Sequence, residues 1–480
     1  MLSGEIPLSQ DRAFEPKKVG EVSHYVVLTM FLISTSVFFI SFFTELNMLP
    51  EVVHDLLMVA AFALQLFFPI SFIYITFTRA KIYLNERSSP YLFLLFLMYI
   101  FFLFSLFSFL WSDYPTFVIK KSLTIFLPVI LLSIVLLFDE DPIKTFNKVS
   151  IIFIAFSVFS SLHGEIVLLM GKIDQNPLAP NVYEQYISLG VLKIPQIVYG
   201  TPPFLRISSF LGNPNRLAVL NSVGIVLTLY LTRINYIKKF TGVFLVLVQS
   251  ISLLLTYSRD GVLFAALMLL AYSIWFAKRG TLRIAGLLLG GVLLALSLLG
   301  IYLVYQSTNP VPAQGDGQSF LEKRLSLGLN GRDRIWKPVL EQIAETPLFG
   351  IGFGTATEAI LRPRGIEHTV HSSHLQILAE LGIAGYALFL VTFFTFGAFA
   401  LRAIRKAPGP AVQHVGAVTF ALVFGFFVHD FLESVIVLWG PFTLLTGYAM
   451  FTLLHPQVIG EGVREGKTRG IPVSGDSVYT

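Results

Sequence analysis

Residues 90–111 read PYLFLLFLMYIFFLFSLFSFLW, a run that contains no charged side chain. A helix needs roughly 20 residues to cross a hydrocarbon layer about 30 Å thick, so this segment is long enough to span a membrane. Runs of the same character recur along the chain. The 480 residues are 55% hydrophobic and only 13% charged, with a mean hydropathy of +0.73. This composition indicates a polytopic membrane protein.

Window hydropathy predicts about twelve membrane-spanning helices. No ten-residue alternating pattern suggests a barrel, so the predicted class is an all-α integral membrane protein. The first span lacks the cleavage pattern of a signal peptide and is interpreted as an anchor. The spans are predicted at residues 23–44, 56–78, 90–111, 117–138, 149–170, 216–232, 239–257, 261–277, 284–305, 377–401, 411–432 and 437–455.

These spans imply a simple division of the chain. It consists of an N-terminal tail (1–22), helices one to nine (23–305) with an outer loop at about 171–215, a large extracytoplasmic loop before the tenth span (306–376), helices ten to twelve (377–455) and a C-terminal tail (456–480). Lysines and arginines of the short connections and of both tails fall on one side, which the positive-inside rule assigns to the cytoplasm. Long outer loops are typically functional.

The charge balance and the cysteine count exclude several classes of function. The net charge of +5 largely reflects the membrane topology, so no nucleic-acid partner is expected. The chain has no cysteine, which excludes disulfides, thiol catalysis and cysteine metal sites.

Arginines concentrate on the predicted outer side, against the trend of the positive-inside rule. Arg259 lies between two apolar runs, where it either contacts lipid headgroups or pairs with Asp260, or else binds a ligand. Guanidinium groups that face outward suit a diphosphate, which they bind through several charge-assisted hydrogen bonds. The outer arginines are Arg206, Arg216, Arg259, Arg332 and Arg334.

The large loop also carries three histidines at three-residue steps, His368, His371 and His374. His371 precedes a predicted span, where it either hydrogen-bonds the backbone or takes a proton from a sugar hydroxyl. A metal site is disfavoured because no acidic cluster lies near the histidines, and no cofactor is predicted.

Two further polar features bear on the outer side. A short amphipathic helix is predicted to place Ile335, Leu340, Ile343 and Ala344 against the membrane and Arg334, Lys337 and Glu341 toward water. His429, Asp430 and Glu433 lie near the outer end of a late span. Asp430 and Glu433 either support the site or serve as counter-ions of an arginine.

The order of these motifs resembles the O-antigen ligase and polymerase family over roughly residues 90 to 440. The motifs are Trp111-Ser-Asp-Tyr-Pro115, Phe210-Leu-Gly-Asn-Pro-Asn215, Ser258-Arg259, Gly331-Arg-x-x-Ile-Trp336, and His371-x-x-x-Leu-x-x-Leu-x-Glu-Leu-Gly-x-x-Gly385. The family often has His-Asn at the histidine, whereas Ser372 follows here, so a role of the amide is not implied.

The resemblance implies an inverting, metal-independent glycosyltransferase of the bacterial cytoplasmic membrane. Its donor would be a glycan on undecaprenyl diphosphate, and its acceptor a lipid A core or a growing polysaccharide, as in lipopolysaccharide or exopolysaccharide synthesis. Arg259 and Arg332 would stabilise the leaving diphosphate, and His371 would activate the acceptor hydroxyl on the periplasmic side. Ligase and polymerase differ in the acceptor, which these motifs do not specify.

A lipid-linked sugar transporter or flippase is the alternative from another class. Transporters commonly place polar sites near the bilayer midplane on repeated, broken helices. This chain concentrates its charge at one surface and shows no repeat, which favours the transferase.

Overall fold

The fold is a bundle of helices with a small β-sheet at one end. The computed structural model describes residues 16–45, 50–77, 88–174, 177–179, 181–190, 192–201, 204–275, 332–366, 368–406, 410–435, 440–456 and 458. The helices are α1 (Pro16–Glu45), α2 (Glu51–Phe77), α3 (Ser89–Phe107), α4 (Pro115–Leu136), α5 (Pro142–Met170), α6 (Pro214–Arg233), α7 (Lys239–Leu255), α8 (Arg259–Ser273), α9 (Arg332–Glu345), α10 (Ser373–Lys406), α11 (Pro410–His429) and α12 (Gly440–Leu454).

The described part of the chain is mostly helical, as predicted. Every predicted span overlaps one of these helices except residues 284–305, which lie outside the described residues. Among the described residues, seven helices are long and apolar enough to cross a membrane, and three shorter apolar helices accompany them. The structure therefore has the architecture of a polytopic membrane protein, and the count of twelve spans stays a prediction.

The segment predicted as an outer loop, residues 171–215, departs from the all-α prediction. It folds into an antiparallel sheet with the strand order β1 (Lys172–Ile173), β2 (Val182–Leu189), β3 (Leu192–Thr201) and β4 (Phe204–Ile207). Pro195 pairs with β2 alone, because β4 pairs only with the last residues of β3. A proline is tolerated at such an edge position since it has no N–H to donate. The many prolines of this loop concealed the strands from the sequence analysis.

The main core lies where α1, α4, α5, α6, α8, α11 and α12 meet. Large side chains fill it, among them Phe153, Tyr230, Phe264, Phe426 and Tyr448, all nearly inaccessible to solvent. The helices α6 and α8 approach closely, since Ser222 on α6 donates from Oγ to the carbonyl of Gly261 on α8 at 2.9 Å. This contact fixes the ends of two helices that carry residues of the candidate site.

The helix α9 packs on protein, which corrects part of the sequence prediction. Ile335 and Val339 are buried in a cluster that includes Ile360, Leu361 and Val370. The side chain of Leu340, predicted to lie on the same apolar face, is 52% exposed. The apolar face follows positions 335, 339 and 343, one helical turn apart, and position 340 falls outside it. Arg334, Lys337 and Glu341 are exposed, as predicted.

The helix α10 is broken at Gly382, where φ is 64°. The segment after α9 crosses α10 at this break, with Ile383 N–H donating to the Pro347 carbonyl at 2.8 Å. A Cβ on Gly382 would lie 2.3 Å from the backbone carbon of Leu348, so only glycine permits the crossing. The break thereby ties the segment that follows α9 to the helix that follows His371.

Candidate active site

Arg332 is the first described residue of α9 and joins two carboxylates. Its Nη2 atom donates to Asp260 Oδ2 at 2.7 Å and to Glu433 Oε1 at 2.9 Å. The Arg332 side chain is 11% exposed, so these are partly desolvated ion pairs. One guanidinium therefore connects α9 to the start of α8 and to the turn that follows α11.

Glu433 is the centre of the polar network. Its Oε1 accepts hydrogen bonds from Arg332 and from Nδ2 of Asn215 at 2.9 Å, and its Oε2 lies 3.0 Å from Nδ1 of His371. Burial opposes ionisation, but the hydrogen bond and charge of His371 and the charge of Arg332 outweigh it and lower the pKa of this carboxyl. Glu433 is therefore an ionised carboxylate shared by three donors.

His371 is held in an unusual backbone conformation beside Glu433. Its φ is 54°, in the left-handed region that non-glycine residues rarely adopt. Trp336 fixes the preceding residue, because its Nε1 donates to the Val370 carbonyl at 2.9 Å. Arg332 and Trp336 are four residues apart on α9 and so share one face. The same helix face thus positions both the guanidinium and the histidine.

Three helices begin at the network. Asn215 is in the first turn of α6, Asp260 in the first turn of α8, and Arg332 is the first described residue of α9. The first two starts are capped, by Asn213 and Ser258 respectively. Helix N-termini carry partial positive charge, so their convergence favours an anion at this place.

The other predicted arginines have different surroundings. Arg206, on β4, donates from Nη2 to Asn215 Oδ1 at 2.9 Å and from Nε to the Thr256 carbonyl at 2.8 Å. Arg259 is exposed and adjacent to Asp260, which pairs with Arg332 rather than with its neighbour. Arg216 donates to the Leu211 carbonyl at 3.5 Å, and Arg334 faces away from the network, exposed.

The two late carboxylates have different roles, and Glu433 pairs with Arg332. Asp430 is buried at the end of α11, where its backbone carbonyl accepts from Ser373 N–H at 2.9 Å. Its carboxylate Oδ1 accepts from Val435 N–H at 3.4 Å. Asp430 therefore shapes the turn that presents Glu433.

The three histidines of the loop have different surroundings. His368 is exposed, whereas His374 is buried, stacked on Phe431 with ring centroids 3.8 Å apart. His374 also has Nδ1 3.1 Å from the Tyr386 hydroxyl and Nε2 2.9 Å from the Phe427 carbonyl. Within the described residues, no group of three histidine or acidic side chains is arranged to hold a metal ion. The geometry groups only His371 with the carboxylate network.

Glu380 supports the site from inside α10. This fully buried carboxylate accepts from Gly354 N–H at 2.7 Å, from Ala356 N–H at 3.1 Å and from Gln376 Nε2 at 2.9 Å. The carboxylate thereby holds the glycine-rich segment after α9 on α10. Since α9 carries Arg332 and α10 follows His371, Glu380 fixes the relative position of the two.

An open, apolar cleft of about 570 Å³ lies at the other end of α9. It is lined by Trp111, Thr346, Pro347, Leu348, Phe349 and Gly350. The fourteen residues of α9 extend about 20 Å, so the cleft is separate from the network at Arg332.

Sequence reasoning missed two members of the network as site residues, Asn215 and Asp260. Asn215 stands in the Asn-Pro-Asn motif before α6, and Asp260 follows Arg259 directly. Both are polar residues in the first turn of a predicted or adjoining span, next to a residue or motif of interest, and this position could have indicated a role in the site. The partner of each is far away in the chain, so the pairing itself was not visible in the sequence.

The fold and the network define a multi-pass helical membrane protein with a polar site at one end of its bundle. Residues 243–390 match the family model of the O-antigen ligase. This match confirms the predicted family for the part of the chain that carries Arg259, Arg332 and His371, and the family implies glycan transfer. No curated protein matches the chain.

Proposed function

We propose that this protein transfers a glycan from undecaprenyl diphosphate to an acceptor hydroxyl at the outer face of the bacterial cytoplasmic membrane. The observation that carries the proposal is the convergence of His371 and Arg332 on the carboxylate of Glu433. A base for the acceptor and a cation for the leaving group are thereby held by one buried side chain.

His371 acts as the general base in this proposal. When Nδ1 donates its hydrogen to Glu433, the Nε2 lone pair remains to accept the proton of a hydroxyl group. The carboxylate then stabilises the imidazolium that forms, as carboxylates do beside catalytic histidines.

Arg332 stabilises the leaving diphosphate. Among the described residues, its hydrogen bonds all use Nη2, so Nη1 and Nε are the donors that would bind phosphate oxygens. Arg259 lies beside this position, and the N-termini of α6, α8 and α9 add partial positive charge. Preorganised charge of this kind stabilises a leaving group as it becomes more negative. Arg206 organises Asn215, while Arg216 and Arg334 attract the anionic donor at longer range.

The reaction is a single displacement. The acceptor oxygen gives its proton to His371 and forms a bond to the anomeric carbon. The bond from that carbon to the diphosphate oxygen breaks, and the diphosphate leaves with the electron pair. Attack opposite the leaving group inverts the anomeric configuration. Because arginines neutralise the diphosphate, the mechanism requires no metal ion.

The test is glycan transfer by the purified protein from a defined lipid-linked oligosaccharide. Lipid A core and a second lipid-linked repeat unit would be offered separately, and product length would be measured. Addition of one glycan to the lipid acceptor identifies a ligase, and a ladder of products identifies a polymerase. No transfer to either acceptor by folded protein would refute the proposal. Passage of intact donor across a vesicle membrane would instead support the transporter alternative, which the comparisons do not support.

A further inference from the structure

Two carboxylates compete for the guanidinium that is proposed to bind the donor. Asp260 and Glu433 both accept from Nη2 of Arg332, at 2.7 Å and 2.9 Å. With both carboxylates ionised, this trio carries a net negative charge. The positive charge of Arg332 is therefore already balanced by the two carboxylates, whose remaining negative charge opposes the binding of a diphosphate.

The two carboxylates differ in how firmly they are held. The Glu433 side chain is 5% exposed and is also bound to His371 and Asn215. The Asp260 side chain is 22% exposed and bonds to Arg332 alone among the described residues. Exchange of Asp260 for another anion breaks a single, partly solvated ion pair. Exchange of Glu433 would leave a buried network without its acceptor, which is far more costly.

We propose that Asp260 is an exchangeable counter-ion, which occupies Arg332 in the absence of donor and yields its place to a diphosphate oxygen when the donor binds. Glu433 keeps Arg332 in position during the exchange. This inference rests on the proposed function. Return of Asp260 to Arg332 after transfer would also favour release of the diphosphate product. Asp260 is thus a residue that sets donor affinity and product release without touching the reacting carbon.

The experiment measures binding of inorganic diphosphate to the purified full-length protein and inhibition of glycan transfer by the same anion. Asp260→Asn keeps the shape of the side chain and removes its charge, so diphosphate should bind and inhibit about three- to tenfold more tightly. Asp260→Ser also removes the charge and should tighten diphosphate binding too, which gives a second variant if Asp260→Asn does not fold. Glu341→Gln removes one charge from the exposed face of α9 and serves as the matched control, with no change expected.

The double variant with Arg332→Ala decides whether Asp260 acts through Arg332. In the Arg332→Ala protein, Asp260→Asn should no longer tighten the binding of diphosphate. Equal or weaker diphosphate binding by both folded Asp260 variants, or a gain that persists without Arg332, would overturn the inference. If the wild type transfers no glycan while the gain through Arg332 is present, the proposed function fails and the counter-ion role stands. If the wild type transfers glycan and neither Asp260 variant binds diphosphate more tightly, the proposed function stands and the counter-ion role fails.

Discussion

Replacement of Glu433 by glutamine is the sharpest test of the network. The substitution keeps size and shape but exchanges one carboxylate oxygen for an NH₂ group. In the structure, Oε1 accepts from Arg332 and Asn215 while Oε2 faces Nδ1 of His371. The single oxygen of glutamine should therefore remain with the two donors, which turns the NH₂ group toward His371. His371 Nδ1 must then accept, and the hydrogen moves to Nε2.

That tautomer cannot take the proton of an acceptor hydroxyl. Replacing the carboxylate beside a catalytic histidine by an amide reduces kcat about 10⁴-fold in a serine protease through the same change of tautomer. We expect a loss of about 10² to 10⁴ in kcat, the range typical of a missing general base. Donor affinity should change much less than kcat, because the amide oxygen still accepts from Arg332 and Asn215 and keeps the guanidinium in position.

The assay is initial-rate glycan transfer over a range of donor concentrations, with rates normalised to folded protein in the membrane. Glu341→Gln, at an exposed position of α9, is the control for a generic loss of negative charge. A Glu433→Gln protein that is folded and keeps more than about a tenth of the wild-type kcat would contradict the role given to Glu433. A higher KM for the donor with an unchanged kcat would instead assign Glu433 to donor binding alone.

Four further predictions concern the same site. His371→Ala should lower kcat about 10² to 10⁴-fold with diphosphate binding retained, whereas His368→Ala, at an exposed position, should transfer at nearly the wild-type rate. Arg332→Ala should abolish transfer, and Arg332→Lys should restore little, because one ammonium does not reproduce the planar fork that holds Glu433 and a diphosphate together. Transfer by Arg332→Ala at the wild-type rate would remove Arg332 from the mechanism. Transfer should survive EDTA, and a loss reversed by zinc or magnesium would refute metal independence. The pKa of Glu433 is lowered from 4.5 in the folded protein, so the ionised carboxylate stabilises the fold fully above pH 4.5. This stabilisation is lost as the pH falls through the lower pKa of the folded state. The thermal midpoint of Glu433→Gln should therefore depend less on pH below 4.5 than that of the wild type.

The sequence predicted the helical class and the positions of the described helices because apolar runs of spanning length have few alternative structures. It failed in the loop at 171–215, where short strands with prolines give little periodic signal. The structure places β4 of that sheet beside the network, since Arg206 contacts both Asn215 and Thr256. The sheet is therefore a part of the site that hydropathy had no means to detect.

The predicted site residues were chosen by charge and predicted sidedness, and the structure brings two of them, Arg332 and His371, to the carboxylate of Glu433. They did not identify partners, because ion pairing depends on which helix ends meet. Asp260 illustrates this: its neighbour Arg259 was the obvious partner in the sequence, yet the carboxylate pairs with Arg332. A residue adjacent in a helix points to a different side, whereas the start of α9 lies opposite Asp260.

The pairing of the arginines changes how the positive charge at this end of the bundle is interpreted. An unpaired set of guanidinium groups would bind any anion, including lipid headgroups. In this protein Arg332 is held by Asp260 and Glu433, and Arg206 is engaged with Asn215 and a backbone carbonyl. A weakly bound anion cannot displace such partners, whereas a diphosphate offers several charged oxygens within one ligand. In the proposed mechanism, selectivity for the diphosphate therefore depends on the carboxylates as much as on the arginines, because an anion binds only if it interacts with Arg332 more strongly than Asp260 does.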